Sequence, residues 1–112
     1  MTIQHKKLAQ GGWSKLSLVE QLANVGSEVE RAIKWKEKGN DDYSRMAYHR
    51  ALELLSFTKD DCKDEAKLKE VCRLYEVLVD YFDGYNEYGS SDKLWRKYFD
   101  YFSKLAARRR SL

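Results

Sequence analysis

Proline is absent from this 112-residue chain, and cysteine, histidine and methionine occur only twice each. Without proline, no helix is broken by a missing N–H or a ring clash. The six glycines fall mostly where helices should end, so the punctuation is that of an all-α protein. No apolar run approaches the roughly 20 residues that span a bilayer. The basic start Met-Thr-Ile-Gln-His-Lys-Lys is followed by no apolar stretch with a cleavage site, so no signal peptide is expected. Cys62 and Cys72 stand ten apart without a C-x-x-C pair, and with two scattered histidines they assemble no zinc site. The expectation is a reduced, cytoplasmic protein in which Cys72 is a small buried hydrophobe. No membrane, metal or cofactor is expected.

What is present is a composition able to fold: 43% hydrophobic, 13% aromatic and 35% charged. That much apolar side chain offsets the entropy of ordering a chain this size. Net charge is +3, unevenly spread. Residues 1–19 hold three lysines and no acid. Residues 59–83 hold five bases against eight acids, and residues 84–112 seven bases against three acids. The polarity along the sequence matters more than the total.

The periodicity predicts one domain over 1–112, an antiparallel up-and-down bundle of four main helices with room for a short extra N-terminal helical turn. Residues 1–12 read as an arm and 108–112 as a frayed basic tail. Ser17 to Glu20 fits a capping box. Behind it Leu18, Leu22, Val25, Val29, Ala32 and Ile33 form one stripe of three- and four-residue steps. Gly26 interrupts that stripe at a cost of about 1 kcal/mol relative to alanine, which implies a close approach by a neighbour. Gly39 and Asn40 stop one helix and cap the next, with Asp41 and Asp42 at its positive end. The second helix is expected to run to about Thr58 with Tyr43, Ala47, Ala51, Leu54 and Leu55 inward, and Lys59 to Asp61 as a break. The third buries Leu68, Val71, Cys72, Tyr75, Leu78, Val79 and Phe82, with Leu74, Val77 and Tyr81 widening its face. The fourth opens at Ser91 and Asp92 and turns Leu94, Trp95, Tyr98, Phe99, Phe102 and Leu105 inward.

No catalytic constellation survives a spacing test. A bundle di-iron site needs Glu-x-x-His pairs, and Met46 stands three residues before His49. Arg45 and His49 share a helix face and resemble the HEPN ribonucleases, which carry Arg, four to six residues and then His at a dimer interface. Only Met46, Ala47 and Tyr48 intervene here, so the motif is at least one residue short. The helix layout is loosely similar to that superfamily, including members without catalysis. Trp35, Gly39 and Ala51 match one tetratricopeptide unit, but Lys69 and Arg73 occupy the equivalent positions 34 residues on, so there is no repeat.

Two segments remain as candidates. The connection from Asp80 to Ser91 is rich in tyrosine, where loops are usually small and polar. Tyr81, Asp83, Tyr85, Glu87 and Tyr88 form a candidate interaction surface, because loops on a rigid scaffold carry binding and tyrosine is enriched in interface cores. The bland reading has these tyrosines folding back over the bundle end. The basic end, Lys93, Arg96, Lys97, Arg108, Arg109 and Arg110, interleaved with Trp95, Tyr98 and Tyr101, suits contact with a polyanion.

Residues 13–29, Arg50 to Leu54 and Asp80 to Ser91 together resemble a family of short, uncharacterised prokaryotic helical proteins over about residues 13–107. The resemblance implies a bacterial or archaeal cytoplasmic origin and no activity. The functional expectation is a non-catalytic module that binds a protein partner or itself. The alternative is a nucleic-acid-associated, HEPN-like protein, in the extreme a degenerate nuclease.

Overall fold

The computed structural model describes residues 11–110. A 3-10 turn, Trp13–Lys15, leads into four helices: α1 (Leu18–Glu37), α2 (Asp41–Asp61), α3 (Glu65–Asp83) and α4 (Asp92–Arg110). No strand occurs among the described residues. The arm expected over 1–12 lies, apart from Gly11 and Gly12, outside them, as do Ser111 and Leu112. The arginine triplet read as the start of a frayed tail is the last turn of α4.

Local signals set the helix ends. The Ser17 Oγ accepts from the Glu20 N–H at 3.2 Å while the Glu20 carboxylate accepts from the Ser17 N–H, a complete capping box. At the first turn Gly39 adopts a φ of +79°, and the Asn40 side chain accepts from Tyr43 N–H. Lys59 to Asp61, expected as a break, continues α2. The stop comes at Cys62, because the Asp64 carboxylate caps α3 by accepting from the Ala66 and Lys67 amides.

α1 is the central helix, packed on α2 along one side and α4 along another, while α3 packs on α2. Its predicted stripe is buried from Leu22 to Ile33. Gly26 is where α4 comes closest: a Cβ built there would lie 2.7 Å from the Phe99 Cβ. Any side chain at position 26 would therefore hold the two backbones apart. Arg96 fastens the same pair of helices, donating to Glu30 at 3.0 Å and to Glu37 at 2.8 Å.

The inward faces differ from expectation at three places. On α2, Tyr43 is 50% exposed, its ring edge-on to Trp35, and the stripe is rotated to bury Ser44, Tyr48 and Thr58. On α3 only Val71, Leu74 and Leu78 are fully buried, and Leu68, Cys72, Tyr75, Val79 and Phe82 are half-buried, because this helix has one close neighbour and not two. On α4 the buried side chains are Trp95, Phe99 and Ala106, while Leu94 is 55% and Tyr98 41% exposed. The cause is the same. α3 and α4 meet near their connection, where the Tyr81 and Trp95 rings lie 6.3 Å apart, and have little further contact along their lengths. Among the described residues the bundle is closed on three sides and open along the fourth.

Candidate interaction surface

The connection between α3 and α4 is a built structure. The Asp80 carbonyl accepts from the Gly84 and Asn86 amides, and its carboxylate accepts from the Glu87 N–H at 2.9 Å and the Tyr88 N–H at 3.1 Å. The Asn86 side chain clamps the other limb, donating to the Ser90 carbonyl and accepting from its N–H. Asn86 and Gly89 take φ values of 55° and 67° to make the turn, conformations that asparagine and glycine adopt with least strain. The loop thus doubles back along α3, and the Arg73 guanidinium lies 5.6 Å from the Tyr88 ring centre. Tyr85 is left 92% exposed.

The fold does not gather the five residues singled out in this segment onto one surface. Tyr85, Glu87 and Tyr88 are exposed on the loop. Tyr81 is half-buried and donates its hydroxyl to Asp92, tying the start of α4 to the end of α3. Burial, then that hydrogen bond to a carboxylate, pushes its phenol up to about 12. Asp83 turns away to α2, where it accepts from the Tyr48 hydroxyl at 3.0 Å and pairs with Arg45 at 2.9 Å. Burial raises the Asp83 carboxyl, but the Arg45 and Tyr48 hydrogen bonds and the Arg45 charge outweigh it and hold the group below its usual range. Burial, followed by Asp83 itself, raises the Tyr48 phenol. Arg45 is therefore held in an ion pair between α2 and α3, and His49 adds its charge to the field at Asp83.

Below the loop the open side of the bundle forms a groove of about 770 Å³. Leu74 and Val77 line it from α3; Leu94, Trp95, Tyr98, Tyr101 and Phe102 line it from α4. Tyr101 is 62% exposed. Glu70 and Arg73 stand on one rim and Lys97 on the other. Trp95 is stacked on Phe99, and its indole Nε1 is buried with no hydrogen-bond partner among the described residues. Of the seven large apolar side chains left exposed among the described residues, five lie on this loop and on α4: Tyr85, Tyr88, Leu94, Tyr98 and Tyr101. The sequence did contain a signal for the groove. Leu94, Tyr98, Tyr101 and Leu105 form a second stripe beside Trp95, Phe99, Phe102 and Ala106, too wide a face for one neighbouring helix.

The basic end divides. Arg96 is engaged by Glu30 and Glu37, so its fork is occupied within the chain. Lys93, Lys97 and Arg108 to Arg110 are exposed. Hydrogen bonds from the Ser17 backbone and side chain hold the Glu20 carboxyl below its usual range, and the charges of Arg110 and Arg109 add to that. The end of α4 thus lies over the start of α1. Among the described residues no group of histidine, cysteine and acidic side chains is placed to hold a metal ion, and no helix is long and apolar enough to cross a membrane.

The raised phenols give a pH test. A group whose folded pKa is above its unfolded value of about 10 stabilises the fold fully below pH 10. That contribution is lost as pH rises through the folded value. The urea midpoint is accordingly expected to fall between about pH 10 and 12, and Tyr81→Phe to make that fall shallower. Equal slopes for the two proteins would show that the Tyr81–Asp92 bond does not persist in solution.

Compared with protein-family models, curated proteins and solved structures, the chain matches none of them.

Proposed function

We propose that this chain is a non-catalytic protein-interaction module, binding a protein partner or another copy of itself through the loop and the open face between α3 and α4. The observation that carries this reading is the display of aromatic side chains on a loop already fixed by hydrogen bonds. Tyr85 and Tyr88 cost little further entropy on binding, because the backbone under them is held by Asp80 and Asn86. A loop whose tyrosines served only to close the bundle would have buried Tyr85, which instead stands in solvent. Only three residues separate Arg45 from His49, and Arg45 pairs with Asp83, which is why the interaction reading is preferred here to a degenerate nuclease.

Replacing Tyr85 and Tyr88 together by serine is expected to leave the melting temperature nearly unchanged. It should weaken association about thirtyfold or more, as truncation of interface aromatics does. The measurements are thermal melting followed by circular dichroism, and affinity purification from the organism of origin with light scattering for self-association. A double variant that melts early yet keeps its wild-type partners in the cold would overturn the reading. Retention on a polyanion column that falls steeply with salt would favour the nucleic-acid alternative instead.

A further inference from the structure

We infer that the groove between α3 and α4 is the seat of an amphipathic helix from a partner protein, one whose apolar stripe is flanked by acidic residues. This deepens the proposed function and rests on it.

Leu94, Tyr98, Tyr101 and Leu105 follow one another at steps of four, three and four, the alternation with which a helix meets another helix along a seam. The neighbouring stripe on α4, Trp95, Phe99 and Ala106, is consumed by packing inside the bundle. Leu94, Tyr98 and Tyr101 are exposed and Leu105 is half-buried. α4 therefore carries two helix-packing seams, and only one has a partner among the described residues.

α3 supplies Leu74 and Val77 on the opposite wall, and the two helices have little contact beyond Tyr81 and Trp95. A trough between two diverging helices accepts one further helix, reading its anchors at three- and four-residue intervals. The α3 wall is aliphatic and the α4 wall largely aromatic; helix anchors pack on both, whereas a base stacks only on the aromatic one.

Lys97 and Lys104 stand immediately before Tyr98 and Leu105, the positions that flank a helix seam and select its partner. Lys93 and Arg108 extend the same exposed edge. Of the two acids on α4, Asp92 is bound to Tyr81, and Asp100 is paired with Lys104 at 2.8 Å on the surface, a pair of little energetic weight. The α3 rim carries one acid and one base, Glu70 and Arg73, and the α4 rim carries Lys97. The lining thus holds one acid against two bases, and the basic edge on α4 favours acidic flanks. It disfavours a second α4, whose own Lys97 and Lys104 would face these.

The test uses the whole chain and three fluorescent probes. One is a helix-forming peptide of about three heptads, with leucine at the seam and glutamate beside it. Its twin has lysine in place of glutamate, and the third probe is oligouridylate. By anisotropy at low salt, the glutamate peptide is expected to bind about tenfold or more tightly than either other probe. Tyr98→Ser with Tyr101→Ser should abolish that binding without changing the helical spectrum. Lys97→Glu with Lys104→Glu should invert the preference between the two peptides.

Absence of saturable binding by the glutamate peptide would overturn the inference. So would equal affinity for both peptides, tighter binding of the RNA, or a preference unchanged by the charge reversal. Binding that survives loss of Tyr98 and Tyr101 would show an acidic peptide held by the basic end alone, and would overturn it too. A concentration-dependent dimer that disappears with those same tyrosines would put a second copy in the groove. That result would sink this inference while leaving the proposed interaction module standing.

Discussion

Trp13→Ala is expected to lower the free energy of unfolding by about 3–5 kcal/mol, a large share of the roughly 5–15 kcal/mol available to a domain. The indole is 2% exposed and belongs to the main core with Val25, Leu54 and Leu55. Its Nε1 donates to the buried Thr58 hydroxyl at 3.0 Å, and the Trp13 backbone carbonyl accepts from the Gln21 side chain at 2.9 Å. Removing it leaves a cavity where the 3-10 turn crosses the ends of α1 and α2, and leaves Thr58 without that donor. Urea denaturation measures the loss, with an unchanged slope showing that the unfolded state is not the cause. Trp13→Phe separates the two contributions. It keeps most of the packing and should cost only about 1–3 kcal/mol through the unsatisfied hydroxyl. A loss under about 1 kcal/mol for the alanine variant would mean that the turn is not docked in solution.

Leu78→Ala is expected to cost about 2–5 kcal/mol. Leu78 has no exposure and lies in the main core cluster. Among the described residues α3 packs mainly on α2, so a cavity at this point weakens the attachment of the whole helix. Amide exchange should accelerate along α3 more than along α1, because a helix held on one side opens at lower free energy than the central one. A loss below about 0.5 kcal/mol would show that the buried face of α3 has been misassigned.

These two residues mark where the sequence could and could not be read. Leu78 sits in a clean three- and four-residue stripe, and its burial follows from helix geometry alone. Trp13 precedes the first predicted helix, in a segment with no period, and what buries it is Thr58, forty-five positions away. The same contrast holds for polar groups. Glu28 reads as a solvent-facing residue of α1, yet its carboxylate is buried between Arg31 at 2.9 Å and Arg50 at 3.0 Å, joining α1 to α2. Nothing local distinguishes it from Glu30.

The candidate surface was half legible. An aromatic-rich loop stands out in composition, and Tyr85 and Tyr88 are indeed displayed there. Asp83 and Tyr81 belong to the same segment but are taken by Arg45, Tyr48 and Asp92. Those partners become neighbours only after α2, α3 and α4 have packed. Conversely, Leu94 and Tyr98 have the spacing of core residues and are exposed because no helix among the described residues closes over them.

By itself the sequence determined the helical class, the caps that open α1, α2 and α4, the buried stripe of α1 and the close approach at Gly26. Each of these depends on interactions within a few residues: a cap, a left-handed turn, a missing Cβ, or the angular repeat of the helix. Only the tertiary structure decided which of two adjacent stripes on α4 is core, which acids are consumed in pairs, and that the side between α3 and α4 stays open. Those outcomes depend on how far apart two helices settle. That distance is set by Gly26 against Phe99, by Arg96 on Glu30 and Glu37, and by the loop pinned on Asp80, acting together. Periodicity reports that a face is apolar. Only packing reports whether another helix of the same chain covers it.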